Sequence, residues 1–203
     1  GENDWPFPIP VVNNGGKWML DGAAGADEII YRRIGHNELG AIDFCYGFLD
    51  AQAEYASEAR DGKPSGIYAT KLMSEPGKYD GLYWKTAEGE PPSPAGEAVA
   101  NATKEGYRAA TGGARNPYHG YYYRILFAQG AHASGGAMDY FSDGKLTQGI
   151  ALLAWPAEYG VSGLKSFMVN HDGVVYEKDF GENTGNEVEK IENFNPDDTW
   201  SVS

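Results

Sequence analysis

Alternation of apolar and polar positions is clearest in the last third of the chain. Gly120 to Gln129 places Tyr121, Tyr123, Ile125 and Phe127 on one face and Tyr122, Arg124 and Leu126 on the other, which is the period of a strand. Gly149 to Trp155 is an almost unbroken apolar run and predicts a more central strand, ended by Pro156 because proline cannot donate to a ladder. Leu164 to Asn170 and Val174 to Asp179 follow as a hairpin around His171-Asp172-Gly173, with Gly173 supplying the left-handed residue of a three-residue loop. Only Gly130 to Gln148 is long enough for a crossover, so the four strands are expected to pair antiparallel, in order, as a meander.

The first half carries a helical period instead. Trp5 to Pro10 alternates proline with apolar residues and must be extended, and Val11-Val12 and Lys17 to Leu20 flank the turn signal Asn13-Asn14-Gly15-Gly16. Gly25 to Ile34 predicts a helix capped by Gly35, with Asp27 and Glu28 in its first turn and Arg32 and Arg33 in its last. Asn37 is expected to cap a second, longer helix to about Ala59, whose core stripe is Leu39, Ile42, Tyr46, Leu49, Ala53 and Ala56. Phe44, Phe48 and Tyr55 widen that stripe, which makes Cys45 a small core residue.

Asp61 to Pro94 has no sustained period and reads as a long loop held by Tyr79, Leu82, Tyr83 and Trp84. Ser93-Pro94 opens a helix to about Glu105, and Asn186 to Asn193 predicts a short one with an Asn-x-x-Glu cap, after which Phe194 and Trp200 staple the tail back. The fold class is therefore α+β, with N-terminal helices packed on a four-stranded antiparallel meander. Residues 1–24 form an extended segment and hairpin ahead of a domain at 25–203.

Charge narrows the partners. Sixteen basic against twenty-nine acidic residues give a formal net charge of −13, which opposes nucleic acid and anionic lipid surfaces. No run reaches the roughly eighteen apolar residues of a membrane span. One cysteine in 203 residues excludes an intramolecular disulfide framework and a cysteine zinc site. No nucleophile elbow, phosphate loop, zinc-protease helix or dinucleotide fingerprint is present, and none of His36, His119, His132 and His171 has a second histidine at ligand spacing. No cofactor or metal is expected. A carboxylate pair such as Asp139 and Glu158 could act as general acid and base, and Asn195-Pro196-Asp197-Asp198 could offer oxygen ligands to calcium, with a solvated acidic turn as the simpler reading.

Several long segments resemble a bacterial family known only as domain of unknown function 2950, DUF2950. They include Gly25-Ala26-Asp27-Glu28-Ile29, Gly81-Leu82-Tyr83-Trp84, Pro117-Tyr118-His119-Gly120-Tyr121-Tyr122, Trp155-Pro156-Ala157-Glu158-Tyr159-Gly160 and Val169-Asn170-His171-Asp172-Gly173-Val174-Val175-Tyr176. The resemblance implies an exported, periplasmic or envelope protein with further residues upstream, and brings no catalytic residues. A second likeness is architectural: Asp50 to Tyr55 on a buried helix, then Gly163 to Phe167 leading to Val174-Val175-Tyr176, resembles the soluble heads of pilin-like proteins without their membrane helix.

The function expected from these readings is a non-catalytic envelope module that binds an envelope protein or a cell-wall glycan. Its candidate surface is Tyr83, Trp84, Tyr118, His119, Tyr122 and Glu158, since long loops tend to be functional and Tyr and Trp give large contact area. The alternative is a periplasmic hydrolase acting on glycan or peptide through carboxylates with His119.

Overall fold

A computed structural model describes residues 6–87, 89–96 and 117–203. The extended segment at 6–10 leads into a hairpin of β1 (Val11–Asn14) and β2 (Lys17–Leu20), whose side chains all face solvent. α1 then runs unbroken over Gly22–Ser57, its N-terminus capped by the Asp21 carboxylate, which accepts from the Ala24 N–H at 3.0 Å.

One helix therefore stands where two were expected. Gly35 costs about 1 kcal/mol against alanine in a helix interior, but Ile34 and Asn37 on either side of it are buried and hold the backbone helical. Asn37 caps nothing; its side-chain amide donates to the Ser162 carbonyl at 2.8 Å. The buried face is also displaced from the expected stripe. Ile34, Ala41, Cys45, Phe48 and Tyr55 are buried together with the amides Asn37 and Gln52, whereas Leu39 is 66% exposed and Tyr46 46%.

β3 (Tyr121–Leu126), β8 (Ala151–Pro156), β9 (Lys165–Asn170) and β10 (Tyr176–Asp179) are neighbours in the expected sequence, and the tail adds β11 (Ser201–Val202) as an edge. The main sheet is antiparallel throughout, in the order β11-β10-β9-β8-β3. The sheet has five strands, not the four of the expected meander, because the C-terminus returns to pair with β10.

The first strand also stops early. Phe127 breaks the ladder at an exposed position, and β4 (Ala128–Gln129) turns away to pair with β5 (Met138–Asp139). β6 (Phe141–Ser142) and β7 (Lys145–Leu146) form another small pair in the same long connection. At the central hairpin Gly173 is left-handed as expected, with φ +79°, and its N–H donates to the Asn170 carbonyl at 2.9 Å. Val174 and Val175 lie outside the ladder; the Val175 carbonyl accepts from the Ser203 N–H instead.

Strand alternation sends the two faces to different layers. Tyr121, Ile125, Leu152, Phe167 and Val169 point toward α1 and meet Cys45 and Phe48 in the core. Tyr122, Arg124, Trp155, Met168 and Tyr176 point the other way, toward a C-terminal layer built from a 3-10 turn at Gly181–Asn183, α2 (Thr184–Glu189) and the tail. Arg124 ties the layers by donating to the Val188 and Ile191 carbonyls at 2.5 and 2.6 Å, at and just beyond the C-terminal end of α2. α2 begins earlier than expected, after Asn183, whose amide donates to Glu187. Apart from its opening residues, the helix expected at 93–105 lies outside the described residues.

Candidate binding site

The six expected surface residues are divided between separate places. At the C-terminal end of α1, Tyr83 and Trp84 are half-buried. Trp84 meets Tyr79 edge-on at 4.9 Å, and the Arg60 guanidinium lies 5.1 Å from the Trp84 ring and 5.3 Å from Tyr55. This loop is irregular yet fastened. The fully buried Gln52 amide both donates to the Ala69 carbonyl at 2.9 Å and accepts from its N–H at 2.8 Å. Tyr55 Oη donates to the Tyr79 carbonyl at 2.7 Å, and the Tyr83 N–H to the Leu72 carbonyl.

Tyr118, His119 and Glu158 gather near the middle of α1. Tyr118 and Tyr121 exchange main-chain bonds around a tight turn with His119 at φ +46° and Gly120 at φ +69°, the two left-handed residues of a type I′ hairpin. A side chain at Gly120 would strike the Asn37 amide, so the position is closed to anything larger. The turn brings Tyr118 against Phe44 at 5.2 Å and the nearly buried His119 edge-on to His36 at 5.9 Å. The loop after β8 runs alongside, joined by the Ala157 N–H to the Gly120 carbonyl at 2.9 Å and clasped by Glu38, which accepts from the Leu164 and Lys165 N–H groups. Glu158 sits exposed on that loop.

The two groups are roughly 25 Å apart along the helix at 1.5 Å per residue. Tyr122 is in neither, because it points to the opposite sheet face and packs on Trp155 at 5.9 Å. Asp139 and Glu158 flank opposite ends of the six-residue β3, roughly 20 Å apart, beyond the ~10 Å reach of a carboxylate pair sharing one bond. In the tail, the Asn195 side chain accepts from the His132 N–H and Asp197 from the Thr199 N–H, both at 2.9 Å, which makes the segment a hydrogen-bonded turn. Among the described residues no group of three or more His, Cys, Asp or Glu is placed to hold a metal ion.

Sequence reasoning missed a cleft of ≈ 360 Å³ between β10 and the C-terminal layer. Phe180 and Trp200 meet edge-on at 5.6 Å in its wall, with Lys178 Nζ 4.8 Å from one ring and 5.8 Å from the other. Lys178 also donates to Thr199 Oγ1 at 2.6 Å, and Asn193 and Asn195 are among the lining residues. Hydrogen bonds from Lys190 to Glu187 and from Thr199 to Asp197 hold both carboxyls below their ordinary range. The available signal was the spacing of Tyr176, Lys178 and Phe180, which sends all three toward the tail.

A family model described as a protein of unknown function, DUF2950, matches residues 1–202. The chain belongs to the DUF2950 family. No curated protein and no solved structure matches it. In this DUF2950 protein the most displaced titrating groups are packing groups of the core. Burial pushes the Cys45 thiol and the Tyr140 phenol each up to about 12, and raises Tyr121, whose Oη donates to the Lys165 carbonyl. The lining of the cleft of the DUF2950 chain combines two aromatic rings, asparagines, an ammonium and carboxylates, groups that hold hydroxyls by hydrogen bonds. No helix among the described residues is long and apolar enough to cross a membrane.

Proposed function

We propose that this DUF2950 protein is a non-catalytic, exported module of the cell envelope that binds a hydroxyl-rich ligand of the cell-wall glycan class. The observation that carries the reading is the Phe180–Trp200 cleft, an open and mostly polar groove in which two rings stand beside Lys178, Asn193, Asn195 and Asp197. The envelope address rests on what the family resemblance implies. The ledge of Tyr83, Trp84 and Tyr79 is the second seat for such a ligand, and the Tyr118, His119 and Glu158 group the third.

Calorimetric titration with soluble cell-wall glycan fragments tests this. Binding to the parent protein that Trp200→Ala abolishes, and Trp84→Ala leaves intact, supports the cleft; the reverse pattern moves the site to the ledge. Absence of binding to any fragment overturns the glycan class. Turnover of a fragment that disappears with Glu158→Gln or His119→Ala overturns the non-catalytic reading and makes the protein a hydrolase.

A further inference from the structure

Asn14 is the one asparagine in the sequence that precedes a glycine. It ends β1, and the hairpin turns through Gly15 at φ +60° and Gly16 at φ +86°, the two left-handed residues of a type I′ loop. Asn14 and Lys17 face each other as the last paired residues, and the Gly16 N–H donates to the Asn13 side-chain oxygen at 2.8 Å. That leaves the Gly15 N–H and the Asn14 side-chain amide with no hydrogen-bond partner among the described residues. Both residues are exposed, and nothing lies within 4 Å of the place a Gly15 side chain would occupy. Asparagines elsewhere are held: Asn37, Asn170 and Asn183 donate hydrogen bonds through their side chains, and Glu38, His171 and Thr184 follow them with side chains of their own. β1 and β2 pair with no third strand, and a two-stranded hairpin is marginal in water, so the turn opens to the geometry that ring closure needs.

We propose that Asn14 is a site of spontaneous covalent modification, converting to aspartate and isoaspartate through attack of the Gly15 main-chain nitrogen on its side-chain carbonyl carbon. The nitrogen passes its proton to solvent, a C–N bond forms and closes a cyclic imide, and the side-chain nitrogen takes up a proton and leaves as ammonia. Water then adds to either imide carbonyl and reopens the ring. Nothing is oxidised or reduced, and water is the only co-reactant. Glycine makes the nitrogen reachable, because a Cβ on the following residue would crowd the attacking atom. The two products differ in what they do to the hairpin. Aspartate keeps the backbone and sets a carboxylate opposite Lys17, an opposite-charge pair across the strands. Isoaspartate routes the main chain through the former side chain and adds a methylene at the last rung. The Asn14–Lys17 pairing is then lost, and the register of the two four-residue strands goes with it.

Ageing the full chain in buffer at neutral and mildly alkaline pH, with a parallel sample in urea, and reading its peptides by mass spectrometry tests the proposal. Asn14 should gain the mass of an amide-to-acid exchange faster than any other asparagine. Its rate should lie within an order of magnitude of that in urea and rise with pH, since the attacking nitrogen must lose a proton. Aspartates that precede glycine, such as Asp61 and Asp143, reach the same ring without a change of mass, so the gain reports asparagine alone. Gly15→Val should suppress conversion in urea as well as in buffer, which separates crowding of the nitrogen from any effect on the folded turn. Retention of the Asn14 amide in the native chain overturns the proposal, as does conversion that Gly15→Val leaves unchanged. Cross-strand nuclear Overhauser contacts between Val12 and Met19 should persist in Asn14→Asp and vanish from the separated isoaspartate form; their survival in that form overturns the loss of register.

Discussion

Replacing Gln52 should loosen the long loop from the helix by a calculable amount. Its side chain is fully buried and makes both hydrogen bonds of the buried Ala69 peptide group, donor to carbonyl and acceptor to N–H. Gln52→Leu keeps the volume and removes both bonds, leaving an N–H and a C=O without partners. Each such group costs ~1–3 kcal/mol when it stays buried, so the variant should lose about 2–6 kcal/mol. At ~2–4 °C per kcal/mol for a chain of this size, the melting temperature should fall by roughly 4–24 °C. Urea unfolding gives the free energy, and amide exchange at Ala69 shows whether loosening begins in the loop. Gln52→Glu is the informative companion. A protonated carboxyl can restore both bonds and burial raises its pKa, so this variant should recover stability as the pH is lowered and lose it as the pH rises. If Gln52→Leu unfolds within about 0.5 kcal/mol of the parent, the amide clamp is not what fastens the loop, and the argument from unsatisfied peptide groups fails here.

Gly173→Val should cost about 1–2 kcal/mol through left-handed strain alone, because open space surrounds the position; a thermal melt matching the parent would refute this. Cys45, buried and with its thiol pushed up to about 12, should resist alkylation in the native protein at pH 8 and react fully in denaturant. Acid should destabilise the fold below about pH 4, because hydrogen bonds from Lys71 to Glu75 and Asp80 and from Thr199 to Asp197 depress those carboxyls, and their contribution is lost as pH falls through the folded values. Alkali acts in the opposite sense: Cys45, ordinarily 9.0, stays protonated only when folded, so its contribution is lost as pH rises from there toward 12, which melting curves across both limbs would record.

The strands were legible because their signal is local. Ile150 to Trp155 is apolar at every position, and short connections leave antiparallel pairing as the only choice, so β8, β9 and β10 fall where alternation puts them. The helix face was misread for a physical reason. Its buried side includes Asn37 and Gln52, which serve the Ser162 carbonyl and the Ala69 peptide, and a search for apolar spacing passes over amides whose partners lie elsewhere in the chain. It settles instead on Leu39 and Tyr46, a second stripe of equal regularity outside the core. Of the six residues expected on one surface, Tyr118, His119 and Glu158 lie together beside the turn before β3 and apart from Tyr83 and Trp84, and Tyr122 was not separable from Tyr121, since strand parity decides which of two adjacent tyrosines faces α1. The return of the tail was expected from Phe194 and Trp200, but the ring it meets, Phe180, lies twenty residues away in sequence, and no local pattern states that pairing.

The clasp between α1 and the loop before β9 spans 125 to 127 positions of sequence. A ribosome adding ~5–20 residues per second takes roughly 6–25 s to make that stretch. Throughout this interval the helix exists without its seat, and closing so wide a loop is slow compared with forming the helix itself. Anything that meets the nascent chain in those seconds encounters both stripes, the one destined for the sheet as well as the one left outside. The completed sheet is thus the event that tells the two faces of α1 apart, and a chain stopped short of Lys165 would present them as equivalents.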